Sequence, residues 1–238
     1  MKSLQKSTRG LLLYILGLLI MAYLAIGSVW ADLEAIQFDA AIIPKATFDG
    51  LRCPILLTKA ADDVFAVYLE NGKDTVDDRP IRVTYTEGSV IFIHEHTERI
   101  PVEVGETKRV EYPITWLDAA WGRFILVKVY IFADYPFPAS YTNCGIWMIP
   151  ISFLNGYQLL VTLLASSAAL LLGGGYTWVR AKQPLNHEDT QFSRAMLAQL
   201  FMLGVSLAFA LLGNWLVGGL SLLVSLLLSL TILNRFWR

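Results

Sequence analysis

The sequence predicts a membrane protein with four transmembrane α-helices and one extracytoplasmic antiparallel β-sandwich, placed between the first and second helices. Three observations predict this fold class. Four apolar stretches each approach the length of about 20 residues that a membrane-crossing helix needs. A charged block of residues 31–150 separates the first stretch from the other three. Within that block, apolar and polar residues alternate with a period of two, as in strands with one buried face.

The apolar stretches contain no charged residue and divide the chain into three parts. We expect an anchor at 1–30, an outside domain at 31–150 and a helical region at 151–238. Only Gly213-Asn214 separates the last two stretches, so they should form an antiparallel helical hairpin. The four predicted spans are 11–30, 157–178, 195–212 and 215–233.

Lysine and arginine residues near the span ends predict the orientation. If the four helices cross the membrane in alternating directions, all the basic residues that lie outside the charged block fall on one side of the membrane. Because cytoplasmic loops are enriched in Lys and Arg, we expect both termini and the loop 180–194 in the cytoplasm and residues 31–150 outside. The residues concerned are Lys2, Lys6, Arg9, Arg180, Lys182, Arg194, Arg235 and Arg238.

The first apolar stretch has two interpretations. Small residues around Ala31, together with a basic N-terminus, are also found at the cleavage site of a signal peptide. The apolar core of a signal peptide is, however, usually about 7 to 15 residues long. The longer stretch 11–30 favours an uncleaved anchor, and cleavage stays open at this point.

The predicted orientation separates the charges of the chain. The block 31–150 holds 11 of the 19 basic and 18 of the 20 acidic residues, a net charge of −7, and the remainder carries +6. An acidic exterior argues against nucleic acid and against an anionic membrane surface, since both attract basic protein surfaces. The partners we expect are the lipid bilayer and either another membrane or extracytoplasmic protein or a cell-surface polymer.

Short strands joined by turn residues account for most of the block. Seven or eight strands without an intervening helical pattern are typical of an antiparallel sandwich. Turn signals occur at Asn71-Gly72, Glu87-Gly88, Gly105 and 134–138. The predicted strands are 49–58, 64–69, 81–85, 89–97, 99–104, 109–114, 124–132 and 141–149.

The two cysteines lie in the first and the last predicted strand. Cys53 and Cys144 are both on the side that the orientation assigns to an oxidising compartment, where disulfides persist. We therefore expect a disulfide that ties the two ends of the sandwich together. Two buried free thiols in a reducing host are the alternative.

Several segments of the block resemble a known family. The runs Val64–Gly72, Pro80–Tyr85, Val104–Tyr112 and Gly122–Tyr130 are similar to bacterial immunoglobulin-like modules of the cell-adhesion-related, CARDB-like type. The resemblance implies an Ig-like sandwich that acts as a spacer or docking surface and has no catalytic residues. It covers none of the helices, and the cysteine pair departs from the family pattern.

His94 and His96 are the strongest candidates for metal ligands in the sequence. Histidines at i and i+2 on a strand point to the same face and can share one Zn²⁺ or Cu²⁺. Glu95 points to the other face, so a third ligand would come from elsewhere, with Glu98 as one candidate. The polar end of a strand explains the same residues without a metal, and the sequence predicts no metal or cofactor.

Two further groups have a functional and a plain interpretation. Asp74, Asp77 and Asp78 carry oxygen ligands of the kind Ca²⁺ prefers, but their spacing matches no dedicated calcium loop and a solvated turn is favoured. Tyr135 and Phe137 lie on a proline-rich tip, where they either cap the core or contact a partner.

No motif of an enzyme is present in the sequence. It has no nucleophile elbow, phosphate-binding glycine loop, Cys-x-x-Cys or His-Glu-x-x-His. The sequence therefore predicts a non-enzymatic, membrane-anchored accessory or scaffold protein whose sandwich binds a protein or surface polymer. The alternatives are a metal-handling protein that uses His94 and His96, and a small subunit of a larger membrane transport or assembly complex.

Overall fold

The structure is a computed structural model that describes residues 2–38, 46–134 and 138–236. The chain forms two compact units. One comprises residues 1–29 and 160–238, and the other comprises residues 30–159.

Four helices are present in the described part of the chain. They are α1 (Lys2–Gln37), α2 (Gly156–Ala181), α3 (His187–Leu211) and α4 (Trp215–Phe236). The stretches Lys6–Gln37, Gly156–Ala181 and His187–Leu211 are long and apolar enough to cross a membrane, whereas the apolar stretch Trp215–Leu230 of α4 is shorter. The apolar helices indicate a membrane location, and three of them meet the length of a span.

Small residues bring α1 and α2 into close contact. A Cβ atom added at Gly10 would lie 2.9 Å from the carbonyl oxygen of Gly174, and one at Gly17 would lie equally close to that of Ser167. The Ser167 hydroxyl donates a hydrogen bond of 2.9 Å to the carbonyl oxygen of Gly17. Small residues and serine hydroxyls are the usual means by which helices pack in membranes.

Helices α3 and α4 form the predicted antiparallel hairpin. Gly213 has a φ of 73°, which ends α3 and which glycine adopts without steric cost. The Ser206 hydroxyl donates to the carbonyl oxygen of Gly218 at 2.8 Å. Deeper in the pair, the side-chain amide of Gln199 donates to the Ser229 hydroxyl at 2.5 Å.

In its described residues, the second unit has nine strands in two sheets. The larger sheet has the order β1-β9-β8-β5-β6 with β3 also paired to β9, and the smaller sheet has the order β2-β4-β7. The strands are β1 (Ala46–Thr47), β2 (Leu51–Arg52), β3 (Leu56–Thr58), β4 (Asp63–Glu70), β5 (Pro80–Thr86), β6 (Ile93–Arg99), β7 (Thr107–Ile114), β8 (Phe124–Ile131) and β9 (Ser140–Ile149).

One hydrophobic core lies between the two sheets. Phe65 and Ile114 reach it from the smaller sheet, and Val83, Val127 and Ile146 reach it from the larger one, all of them fully buried. The period-two alternation of the sequence produces this arrangement, because successive strand residues point to opposite faces. The unit is therefore a β-sandwich.

Three of the predicted strands need correction. A strand is predicted at 99–104, but β6 ends at Arg99 and no strand follows it there. Pro101 lacks an N–H donor, and Val102 makes only an isolated bridge to Asp77. The strand predicted at 89–97 begins only at Ile93. The strand predicted at 49–58 is interrupted after Cys53, so that β2 pairs with β4 and β3 pairs with β9.

The sandwich is not wholly antiparallel. Both β1 and β3 run parallel to β9, while the pairings of β9 with β8, β8 with β5 and β5 with β6 are antiparallel. The break at Pro54 explains β3, since a proline removes a ladder hydrogen bond and lets the chain change from one sheet to the other.

Helix α1 extends into the second unit beyond the predicted span. Its last residues cross the outer face of the larger sheet, and Ala31 and Ala35 are fully buried there. The N–H of Gly145 on β9 donates to the Asp32 carboxylate at 3.2 Å, and the Asn143 side chain donates to the carbonyl oxygen of Ala35 at 3.0 Å. Gly145 is required at this crossing because its added Cβ would lie 2.0 Å from the carbonyl oxygen of Ala31.

Candidate functional site

The candidate histidines lie on β6, which is an edge strand of the larger sheet. His94 and His96 are opposite Tyr85 and Val83 of β5, and Glu98 follows on the same face. The sequence prediction that the two histidines share a face is therefore consistent with the register. This face continues the core-facing side of β5, but β6 is mostly exposed because it lies at the edge.

His94 pairs with a carboxylate that the sequence analysis did not single out. Its Nε2 lies 3.2 Å from Oδ1 of Asp118 and 4.0 Å from a carboxylate oxygen of Glu87. Asp118 is buried, and its other oxygen accepts the backbone N–H of Thr115 at 2.7 Å. The pattern Thr115-x-x-Asp118 is a capping box, which is the sequence signal that could have located this carboxylate.

His96 and Glu98 make other contacts. The imidazole of His96 lies 6.0 Å from the Tyr85 ring and 5.9 Å from the Tyr112 ring, measured between centroids. Glu98 accepts a short hydrogen bond of 2.5 Å from the Tyr112 hydroxyl. Burial, this hydrogen bond and the negative charge of Glu98 raise the pKa of Tyr112 above its ordinary value.

The side chains around His94 and His96 at this sheet edge are thus aromatic rings and separate hydrogen-bonded pairs, His94 with Asp118 and Tyr112 with Glu98. The Tyr85 ring contacts both imidazoles, and burial together with the charges of Asp118 and Glu87 raises its pKa. In residues 2–38, 46–134 and 138–236, no three His, Cys, Asp or Glu side chains are grouped so that they could hold a metal ion. Metal binding by His94 and His96 stays the alternative hypothesis.

Replacing His94 and His96 together by alanine tests the prediction that this pair holds no metal. We expect the wild-type protein to contain no stoichiometric zinc or copper, and the double variant to lose about 1 kcal/mol of stability with the ring contacts. Elemental analysis of both purified proteins is the measurement. Stoichiometric metal in the wild type that disappears from the variant would contradict the expectation.

The acidic turn after β4 is organised by ion pairs. Asp77 accepts hydrogen bonds from Nη2 of Arg79 at 2.7 Å and from Nζ of Lys73 at 2.9 Å. Asp78 lies 3.6 Å from the Arg99 guanidinium. Burial alone would raise the pKa of Asp77, but the hydrogen bonds and charges of Arg79 and Lys73 hold it below the ordinary value. These pairings favour a structural turn over a calcium site.

The change Asp77→Asn should destabilise the sandwich by about 1 to 3 kcal/mol at pH 7, the range for a hydrogen-bonded charged group. A lowered pKa means that the carboxylate stabilises the fold above the unfolded-state pKa of about 3.9. That contribution is lost as the pH falls through the lower folded-state pKa. The difference between wild type and variant should therefore shrink below about pH 4, measured by hydrogen exchange of β4. A constant difference down to pH 2 would contradict this assignment.

A cleft of about 280 Å³ adjoins this turn. Asp77 and Arg79 line it together with Asp49, Glu70 and apolar residues of the core edge. Asp134 accepts a hydrogen bond of 3.3 Å from Lys73 of the same turn. Tyr135 and Phe137, the candidate partner contacts, lie outside the described residues.

The predicted disulfide is confirmed. Cys53 and Cys144 are bonded with a Cα–Cα distance of 6.5 Å, and among the described residues no free cysteine is left. Cys53 follows β2 and Cys144 belongs to β9, and both pack against the sandwich core. The bond supports an extracytoplasmic location of this unit, because disulfides persist in oxidising compartments.

Comparison with known proteins assigns neither a family nor a role to this chain. No family model matches the chain, and no curated protein matches it. A Paenibacillus cycloisomaltooligosaccharide glucanotransferase complexed with cycloisomaltoheptaose is similar over 47% of this chain, at 10% identity and a TM-score of 0.32, and the match spans only 15% of that protein. A Pyrococcus furiosus CARDB domain in complex with di-metal ions is similar over 44% of this chain and 100% of its own length, at 8% identity and a TM-score of 0.31. A CARDB domain is thus among the similar structures, but neither similarity is high enough to transfer a role.

Proposed function

We propose that this chain is a non-enzymatic, membrane-anchored accessory or scaffold protein whose sandwich is an Ig-like interaction module outside the cytoplasm. The observation that carries the proposal is a disulfide-bonded sandwich placed in the chain between helices apolar enough to cross a membrane. A disulfide needs an oxidising compartment, and the flanking helices hold the module at a membrane surface.

The strand order supports the Ig-like assignment. The order β9-β8-β5-β6 facing β2-β4-β7 corresponds to the arrangement of strands G-F-C-C′ facing A-B-E in immunoglobulin domains. The net charge of −7 over residues 31–150 favours a protein or polymer partner over nucleic acid.

The proposed topology has four spans, with α4 as the last, and both termini in the cytoplasm. Single cysteines introduced at Lys73 and at Gln183 test it in intact cells, without reductant so that the native disulfide is kept. A membrane-impermeant maleimide should label position 73 and leave position 183 unlabelled until the cells are opened. Labelling of position 183 from outside would refute the orientation.

The free edge of β6 is the proposed docking surface. Among the described strands β6 pairs only with β5, so its outer edge offers unpaired N–H and C=O groups to an added strand. Glu95 and Arg99 on this strand are exposed, and charged side chains on an edge limit unspecific pairing.

Photo-crosslinking from the edge tests the docking surface. A photoreactive residue at Glu95 should give one discrete crosslinked product with an extracytoplasmic partner, and one at Asp62, an exposed turn residue, should give none. Equal products from both positions, or none from Glu95, would refute the edge as the contact surface. This result is independent of the topology experiment.

A further inference from the structure

Exposed apolar side chains are concentrated at one end of the sandwich. In residues 46–134 and 138–159, eight of the ten exposed large hydrophobic residues lie at the end where β9 leads into α2. Ile91 is 80% exposed, Phe92 66% and Phe153 78%. The other two, Val76 and Val104, lie at the opposite end. We call the eight residues the apolar rim: Ile91, Phe92, Ile93, Trp116, Leu117, Trp121, Phe153 and Tyr157.

Backbone contacts join the loops of the apolar rim into one surface. The N–H of Trp121 donates to the carbonyl oxygen of Gly88 at 3.3 Å, and the N–H of Glu87 donates to that of Phe92 at 2.9 Å. The connection continues on the other side, where the N–H of Lys59 donates to the carbonyl oxygen of Ile151 at 2.9 Å. The third loop follows β9 and lies at the same end, because the N–H of Met148 on β9 donates to the carbonyl oxygen of Arg123, two residues after Trp121, at 2.7 Å.

Strand β3 packs against the segment that leads into α2 at this end of the sandwich. The Thr58 hydroxyl donates to the carbonyl oxygen of Leu154 at 2.7 Å, and a Cβ atom added at Gly156 would overlap the carbonyl oxygen of Leu56. Helix α2 begins at Gly156 and is long and apolar enough to cross a membrane. A lipid surface that α2 enters must therefore pass close to this end of the sandwich.

The composition of the rim matches the interfacial zone of a bilayer. Trp and Tyr are enriched at that depth because their rings are apolar and carry one polar group. Five of the eight rim residues are aromatic, and two of those are Trp and one is Tyr. Two exposed cations are also present: Nζ of Lys59 lies 4.6 Å from the ring centroid of Trp116, and Arg123 follows the Trp121 turn. Cations beside such rings complement lipid phosphates.

We propose that the apolar rim inserts into the interfacial zone of the lipid leaflet that α2 enters, so that the sandwich rests on the membrane. Isolated exposed apolar residues are ordinary on protein surfaces, but a contiguous apolar patch marks an interaction site. Lys59 and Arg123 then meet headgroup phosphates. The inference uses the membrane location of α2 and is independent of any partner at β6.

Nitroxide labels on the full chain test the insertion. Phe92→Cys and Leu117→Cys are labelled without reductant and reconstituted in phosphatidylcholine vesicles, where no other protein is present. The matched control is Val104→Cys, which is 56% exposed at the opposite end of the sandwich. Power saturation then compares accessibility to oxygen, which concentrates in the bilayer, with accessibility to a water-soluble nickel chelate.

Insertion predicts that the labels at 92 and 117 favour oxygen and that the label at 104 favours the nickel chelate. If all three labels favour the nickel chelate, the rim is in water and the proposal is wrong. If the labels at 92 and 117 are accessible to neither oxygen nor the nickel chelate, a second copy of the chain covers the rim, and the lipid proposal is also overturned. Hydrogen exchange of β8 and β9 that matches the wild type in each variant confirms that the sandwich is folded.

Discussion

Replacing Cys53 and Cys144 together by alanine is expected to lower the free energy of unfolding of the sandwich by about 4 to 5 kcal/mol. The two residues are 91 positions apart, and a crosslink that closes so long a loop removes much conformational entropy from the unfolded chain. The effect is of the same order as the total stability of many small domains, so the variant should be largely unfolded near physiological temperature.

Amide hydrogen exchange of the full chain in mild detergent measures this effect segment by segment. Peptides from β8 and β9 should exchange about a thousandfold faster in the double variant, which corresponds to about 4 kcal/mol. Peptides from α3 and α4 serve as an internal control and should not change. Wild-type protein treated with a reductant should behave like the variant. A change of less than tenfold in β8 and β9 would contradict the prediction.

The change Gly145→Ala should displace the end of α1 from the larger sheet. The new Cβ would lie 2.0 Å from the carbonyl oxygen of Ala31 and 2.7 Å from the backbone nitrogen of Asp32, so backbone atoms have to move. Overpacking of this kind usually costs about 1 to 3 kcal/mol, and a clash with backbone places the change at the upper end.

Hydrogen exchange of residues 31–38 is the measurement for Gly145→Ala. These amides should lose protection by one to two powers of ten, which corresponds to about 1.4 to 2.8 kcal/mol. Gly72→Ala is the matched control, because a Cβ atom there meets nothing within 4 Å and should leave exchange unchanged. Equal behaviour of the two variants would show that the close crossing at Gly145 does not hold the helix.

The parts of the fold with strong periodicity could be predicted from the sequence. The strand from Val64 and the strand from Phe124 differ from the prediction by about a residue at their ends, because their apolar runs are bounded by clear turn residues. The segment 99–104 shows the limit of the same reasoning. Ile100 and Val102 alternate and are buried as in a strand, yet Pro101 prevents the pairing that would make it one.

The extension of α1 could have been found from the sequence. Ala31, Ala35 and Phe38 recur at helical spacing and are all buried. The charges of Asp32 and Glu34 instead place the predicted end of the helix and the start of the charged outside domain at residue 31. The pairing of His94 with Asp118 could not be predicted. It joins an edge strand to a short helical turn 24 residues later, and no sequence periodicity relates the two.

The position of the disulfide also determines how the sandwich carries mechanical load. Both ends of residues 30–159 continue into apolar helices, so tension applied through those helices enters the sandwich before Cys53 and leaves it after Cys144. The bond provides a covalent path between those two points. Strands β3 to β8 lie within the closed loop and cannot be extended while the bond is intact, so the extensible part of the unit is limited to the short segments outside the crosslink.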